Sequence, residues 1–277
     1  MHRIVLPLLV ALFLIPPSTA RAAERSPERV ALGVPHVWEI PDGVWVRPWS
    51  GACEEASIIM IDRYYTRGST PISRPESKAL MYPLFGIETS LFGYNTDTNA
   101  AETARLMNDY SSVEATPKYH PSLDDLKNEL RAGRPVITMH YGRGLQNPKH
   151  AWARGSSSYH VLVLVGFDDA KNEFIVNDSE LQFGGAYRYS YDLVMGSLHD
   201  FDHKTNKADG PPAAVFTSPK RFLRAKGYHR IYLVRGNEKR YITRPSVFHN
   251  RRWAWGLVRD VDPAVIEALD TGAPITE

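Results

Sequence analysis

The sequence has 277 residues and a single cysteine, Cys53. Without a second thiol, no intramolecular disulfide and no multi-thiolate zinc cluster can form. A strongly basic character is also missing. Lys and Arg total 33 against 31 Asp and Glu, a formal charge of +2, and no basic stripe occurs beyond short Arg pairs, which argues against nucleic acid as a partner. After the N-terminal segment no run is apolar enough to span a bilayer. Glutamine is nearly absent: only Gln146 and Gln182 occur. The chain shows no tandem repeats. What it does contain is ordinary for a globular protein, 43% hydrophobic and 23% charged, which excludes disordered and fibrous classes. Its aromatic fraction of 11%, with 14 Tyr and 6 Trp, can build a sizeable core or line a cleft.

Residues 1–22 have the layout of a secretory signal. Arg3 supplies positive charge, Ile4 to Ile15 form a short apolar run, and Ala20-Arg21-Ala22 is a small-x-small cleavage site. The run falls short of the roughly twenty residues a spanning helix needs, so the reading is cleavage, export and a secreted or periplasmic protein with no transmembrane anchor. A lone thiol in an oxidising compartment is a liability unless it does something, and this turns attention to Cys53. The expected layout is a signal at 1–22, a linker at 23–33, one large α+β unit at 34–215 and a small β-rich module at 220–277.

Cys53 to Thr66 reads as a helix, with Ala56, Ile59, Met60 and Tyr64 at helical spacing and Glu54 and Glu55 in the first turn. Thr98 to Tyr110 reads as a second helix, and Ser122 to Ala132 as a third, capped by Ser122 and stopped by Gly133. The pattern then changes to strands. Pro135 to Tyr141 is one, and Tyr159 to Phe167 is a β-branched run too apolar to face water. A polar turn at Asp168 to Asn172 returns the chain through Phe174 to Asn177, and Ala186 to Tyr191 alternates as a further strand. Thr205 to Pro219, with its Pro-Pro and small residues, reads as a boundary. In the tail, two strands flank Gly236-Asn237.

A thiol at a helix N-terminus feels the positive end of the macrodipole, which favours the thiolate. An imidazole could complete the activation. His160 opens the most apolar strand, and Asp178 ends the strand returning beside it, placed to orient the ring. Each of the three has an ordinary structural role available: buried thiol, strand-end polar group, turn residue. Their combination carries the reading. His199 to His203 resembles a metal cluster but lacks a matching second set of ligands, so it is read as a polar helix end and loop. No metal and no cofactor is assigned.

The segment GACEEASIIMIDRYY resembles the nucleophile helix of the C39-like cysteine peptidases, relatives of the double-glycine leader peptidases in the papain superfamily. YHVLVLVGFDDAKNEFIVNDSE resembles their His–hairpin–Asp segment, LKNELRAGRPVIT their helix-then-strand, and FGGAYRYSYDLVMGSLHDF their closing strand and helix. The resemblance covers about Val34 to Phe201. It implies an α+β papain-like fold with the nucleophile helix packed on an antiparallel sheet. It also implies that Cys53 is the nucleophile, His160 the general base and acid, and Asp178 the orienting group, acting through a thioester. These families place a Gln upstream of the cysteine to bind the oxyanion. Here none precedes Cys53, and aligning the opening segment puts Glu39 there, a carboxylate that would need a proton to serve; the N–H groups of Trp38, Trp45 and Trp49 are other donors. A raised Glu39 pKa and activity favouring mildly acidic pH are therefore expected. Tyr228 to Ile275 resembles a small module of bacterial extracellular proteins, with Phe248, Trp253, Trp255 and a Gly-x-Pro exit, for which contact with the cell envelope is one role. The expected substrate is a peptide or cell-wall peptide. Two alternatives stay open: a catalytically weak or inactive binder of peptide or wall material, and a thiol-dependent acyltransferase.

Overall fold

A computed structural model of the chain describes residues 28–150 and 158–277. The export signal expected at 1–22 and the first part of the linker lie outside the described residues. Among those described, no helix is long and apolar enough to cross a membrane.

The first unit is built on a seven-stranded sheet. Its strands are β1 (Arg29–Ala31), β2 (Val113–Tyr119), β3 (Val136–Tyr141), β4 (Tyr159–Asp168), β5 (Glu173–Asp178), β6 (Tyr187–Ser190) and β7 (Ala213–Pro219). They run in the order β2-β7-β3-β4-β5-β6, with β1 paired to the far end of β4, and every pairing is antiparallel. All ten residues of β4 are buried, as its unbroken apolar run predicts. Helices cover both faces. On one side α1 (Cys53–Arg67), α2 (Arg74–Phe92) and α3 (Ala100–Tyr110) join Val161 and Val163 in one core through Ile58, Met60, Met81, Leu84 and Leu106. On the other, α4 (Leu123–Arg131) and α5 (Tyr191–Ser197) pack Leu126, Leu130 and Val194 with Leu162, Leu164 and Phe174. The alternation of β4 thus feeds two cores at once. The result is an α+β fold with the Cys53 helix laid on an antiparallel sheet.

Several boundaries differ from the sequence reading. Arg29–Ala31, expected as linker, pairs with Gly166–Asp168. α3 starts at Ala100, because Asn99 and Glu102 form a capping box that leaves Thr98 outside the helix. α2 occupies a stretch to which the sequence reading assigns no element. Ser73 caps it and Pro83 sits inside it. The largest correction is β7. Residues 213–219, expected as a boundary, form an inner strand between β2 and β3 and carry the first sheet four residues past the expected end at 215. Ala213, Ala214 and Val215 are fully buried. Small side chains at a position crowded by neighbours were read as loop composition.

The tail forms a second, five-stranded sheet in the order β11-β8-β9-β10-β12. Its elements are β8 (Arg221–Ala225), β9 (Ile231–Arg235), β10 (Glu238–Tyr241), α6 (Ser246–Asn250), β11 (Val258–Val261), α7 (Pro263–Glu267) and β12 (Asp270–Thr271). Phe222, Phe248 and Trp253 pack together, and Trp255 stacks on Phe248 with ring centroids 4.1 Å apart. Lys220 joins the two sheets. Its buried ammonium donates to the carbonyls of Met107 and Ser111 at the C-terminal end of α3, where the helix dipole favours a cation, and to that of Val113 at the start of β2.

The β4–β5 ladder shifts register between Leu164 and Gly166. A Cβ at Gly166 would overlap the Val30 carbonyl oxygen and press on Ala31 Cα, both backbone atoms of β1. Gly166→Ala should therefore destabilise the fold by about 1–3 kcal/mol through overpacking and loosen β1. A lowered thermal midpoint with faster amide exchange at residues 29–31 is the expected outcome; an unchanged midpoint would show that β1 yields freely.

Candidate active site

Cys53 is the first residue of α1 and is buried. His160 is the second residue of β4, and Asp178 the last of β5. The ladder pairs Asp178 with Leu162. The hairpin therefore brings Asp178 two residues short of His160, not level with it. A diagonal pair on one face of a sheet is still within side-chain reach, and His160 Nε2 meets Asp178 Oδ1 at 2.9 Å. One ligand-type atom from each of Cys53, His160 and Glu39 lies within 4.8 Å of the other two. The four residues singled out in the sequence thus meet at one place. Cys53, His160 and Glu39 line a cavity of about 230 Å³ together with Trp45, Arg47, Ser50, Asp97, Tyr159 and Glu180, and Asp178 stands behind His160.

Asp178 has no exposed surface, and its second oxygen is occupied. Oδ2 accepts from His150 Nε2 at 2.7 Å and from the Tyr189 hydroxyl at 2.8 Å, and Asn147 Nδ2 reaches that hydroxyl at 2.6 Å. Gly184 backs the aspartate: its carbonyl accepts the Asp178 N–H at 3.0 Å, and a Cβ there would overlap the Asp178 carbonyl oxygen. Burial alone would raise the Asp178 pKa. The His160 charge and the hydrogen bonds from His150 and His160 outweigh it and hold the carboxylate well below its ordinary range. In return, burial would lower His160, but Asp178 raises it to about 9. The pair favours aspartate with imidazolium.

Glu39 is buried and held by Ser179, whose hydroxyl donates to Glu39 Oε2 at 2.7 Å and whose carbonyl accepts the Glu39 N–H at 3.0 Å. Burial is the main reason its pKa rises to about 8; the His160 charge pulls the other way, and Glu180 adds to the rise. At neutral pH Glu39 is mostly a carboxylic acid.

The thiol departs from expectation. The helix dipole favours thiolate by about 0.3–1 kcal/mol, but burial, then Glu54, then Glu39 push the Cys53 pKa well above its ordinary value. Sγ donates to Glu54 Oε2 at 3.0 Å. Glu54 is itself buried, bonded through Oε1 to the Thr98 N–H at 2.7 Å, and raised by burial and by Asp97. Glu54 was legible only as a first-turn anion. His150, Ser179, Tyr189 and Asp97 carried no sequence signal, because their roles arise from contacts between distant segments. In the His199–His203 stretch, His199 Nδ1 meets the Gly210 carbonyl at 3.1 Å and His203 Nε2 meets Glu102 at 2.7 Å and the Tyr94 hydroxyl at 3.0 Å.

A family model, the Peptidase_C39 like family, matches residues 34–206. The chain belongs to this family. Membership points to a cysteine peptidase. Among solved structures, a Bacillus anthracis chain described as a C39-like peptidase is similar at 14% identity, over 69% of this chain and 98% of that one, with a TM-score of 0.43. The wild-type endolysin LysIME-EF1 is similar at 13% identity, over 68% and 84%, with a TM-score of 0.19. No curated protein matches.

A resting thiol of this kind reacts slowly with electrophiles at neutral pH. Labelling of Cys53 by iodoacetamide should climb through pH 8–10 with no plateau at lower pH. A rate already high and flat from pH 5 would instead show a preformed thiolate–imidazolium pair.

Proposed function

We propose that the chain is an exported cysteine peptidase or amide hydrolase working through Cys53, His160 and Asp178. The observation that carries this reading is the convergence of a helix-start thiol with an imidazole whose far nitrogen is clamped by a fully buried carboxylate. Sγ releases its proton to solvent and attacks the scissile carbonyl as thiolate; the amine departs with a proton from the His160 imidazolium, leaving a thioester and a neutral ring. Water then attacks the thioester with His160 as base, releasing the acid and restoring the thiol. Asp178 keeps the ring oriented and stabilises its charged form throughout. The N–H groups of the first turn of α1 have no partner within the helix and can bind the oxyanion from one side. Protonated Glu39, lining the same cavity, donates from the other in place of an amide. A narrow cavity with Trp45 and Arg47 on its wall suits an extended peptide strand, including a cell-wall peptide.

One observation favours a second reading, a weakly active or inactive peptide binder: the thiol pKa is raised, so the thiolate is a minor species at rest.

Cys53→Ala separates these. It should abolish cleavage of a peptide mixture followed by mass spectrometry while leaving the thermal midpoint nearly unchanged. Cleavage that survives the substitution would remove Cys53 from the chemistry; no cleavage by the native chain under any condition would favour the binder. The role of Glu39 has its own signature. Below about pH 8 the native carboxyl is protonated and can donate; above it the carboxylate opposes the oxyanion. Glu39→Gln should therefore match the native rate near neutrality, and the ratio of variant to native rate should grow as pH rises through about 8, toward the ~100-fold or more that one oxyanion donor is worth. A ratio flat with pH would remove Glu39 from the oxyanion site.

A further inference from the structure

The residue that replaces the expected glutamine changes what the cavity can bind. Sγ of Cys53, a ring nitrogen of His160 and a carboxylate oxygen of Glu39 lie within 4.8 Å of one another. All three residues are buried and line the 230 Å³ cavity. Ligand atoms around a tetrahedral zinc ion lie roughly 3.3–3.8 Å apart, given bonds of about 2.0–2.3 Å, so small side-chain rotations would bring the three to coordination distance. The supporting groups are in place. His160 gives Nε2 to Asp178 at 2.9 Å, the carboxylate–histidine arrangement that orients metal-binding imidazoles. Glu39 Oε2 is held by the Ser179 hydroxyl at 2.7 Å, which fixes the carboxyl group at the cavity wall.

We propose that Cys53, His160 and Glu39 form a three-ligand site for a thiophilic divalent cation of the zinc type, with water from the cavity as fourth ligand, and that its binding reversibly silences the nucleophile. Thiolate, imidazole and carboxylate together select zinc over magnesium or calcium, which take oxygen ligands. Charge balance explains why glutamate matters. Thiolate and carboxylate neutralise a dication, whereas an amide would leave one uncompensated positive charge in a buried place. Each bond formed to the metal replaces an S–H, O–H or N–H bond; the protons leave to solvent and nothing is oxidised or reduced. The binding site stands without the peptidase reading; only its inhibitory consequence rests on that reading.

The metal-free full chain titrated calorimetrically with Zn²⁺ should take up one ion, with no heat from Mg²⁺ or Ca²⁺. Co²⁺ as a spectroscopic stand-in should give tetrahedral d–d bands and a sulfur-to-cobalt charge-transfer band. Cys53→Ser should abolish that band, and Glu39→Gln should weaken Zn²⁺ binding by about 10–100-fold, the range for perturbed metal sites, with folding of both variants checked by thermal unfolding. A Co²⁺ complex without the thiolate band, or a Glu39→Gln chain binding Zn²⁺ as tightly as the native one, would overturn the site. If Glu39→Gln does not fold, the Cys53→Ser spectrum decides alone. Peptide cleavage assayed in parallel, with and without Zn²⁺, keeps the two ideas apart. A thiolate band with no cleavage sinks the peptidase reading and leaves the site, while zinc-insensitive cleavage with no band sinks the site.

Discussion

One carboxylate holds the candidate site of this protein together. Asp178 is fully buried, and its two oxygens take hydrogen bonds from His160, His150 and Tyr189. Those partners come from β4, the turn after β3, and β6. Removing an ion of this size from water costs several kcal/mol, and it is tolerated because the acceptor positions are filled and an imidazolium stands beside it. The same three bonds fix the relative placement of four chain segments. The packing of the sheet edge and the orientation of His160 are therefore one constraint, and neither can relax without exposing the other.

On the opposite side of the sulfur the electrostatics run the other way. Glu54, Glu55 and Glu88 are buried acids and Asp97 is half-buried; each is raised, chiefly by burial, with acidic neighbours adding to the rise at the three glutamates while Arg47, His203 and His160 oppose it at Asp97. A helix dipole contributes at most about 2 kcal/mol even in favourable, partly buried geometry, whereas burying an unpaired carboxylate costs several. Burial wins, so Glu54, Glu55 and Glu88 favour their protonated forms and the thiol keeps its own proton. The site is thus asymmetric: an ionised Asp178–His160 pair on one flank and a protonated acidic wall on the other, with Cys53 between. Glu39 resembles the wall in its raised pKa and belongs to the site by its position beside Cys53 and His160.

How much of this was legible in the sequence depends on the kind of signal. The β4–β5 hairpin was legible because an unbroken apolar run followed by a polar turn has few other solutions, and the capped helix α4 because Ser122 and Asp125 satisfy the first turn locally. The positions of His160 and Asp178 follow from that hairpin, and that of Cys53 from the apolar spacing of α1. α2 was hidden by Pro83 in its interior, and β7 by small residues whose burial is decided by β2 and β3 on either side. The one-residue register shift after Leu164 cannot be read from composition, yet it decides that Asp178 sits opposite Leu162. The second layer of the site, His150, Tyr189 and Ser179, needs three-dimensional contact to become visible at all.

The junction with the C-terminal sheet obeys the same rule of buried charge. Lys220 follows directly on β7, and its ammonium is pulled down to about 7 by burial although three carbonyls solvate it. Its own N–H donates to the Ser112 carbonyl at 2.9 Å, and the Ser112 hydroxyl accepts the N–H of Ala254 at 2.7 Å. Arg252 adds a bond to the Leu80 carbonyl at 3.0 Å, and Arg235 pairs with Glu114. Polar bonds of this kind specify one orientation more sharply than an apolar seam would, because a shifted module would strand buried donors at about 1–3 kcal/mol each. The module therefore adds order to α2, α3 and β2. Because α2 and α3 share a core with α1, a rigid junction on their outer side limits the ways in which the Cys53 helix can tilt on the sheet.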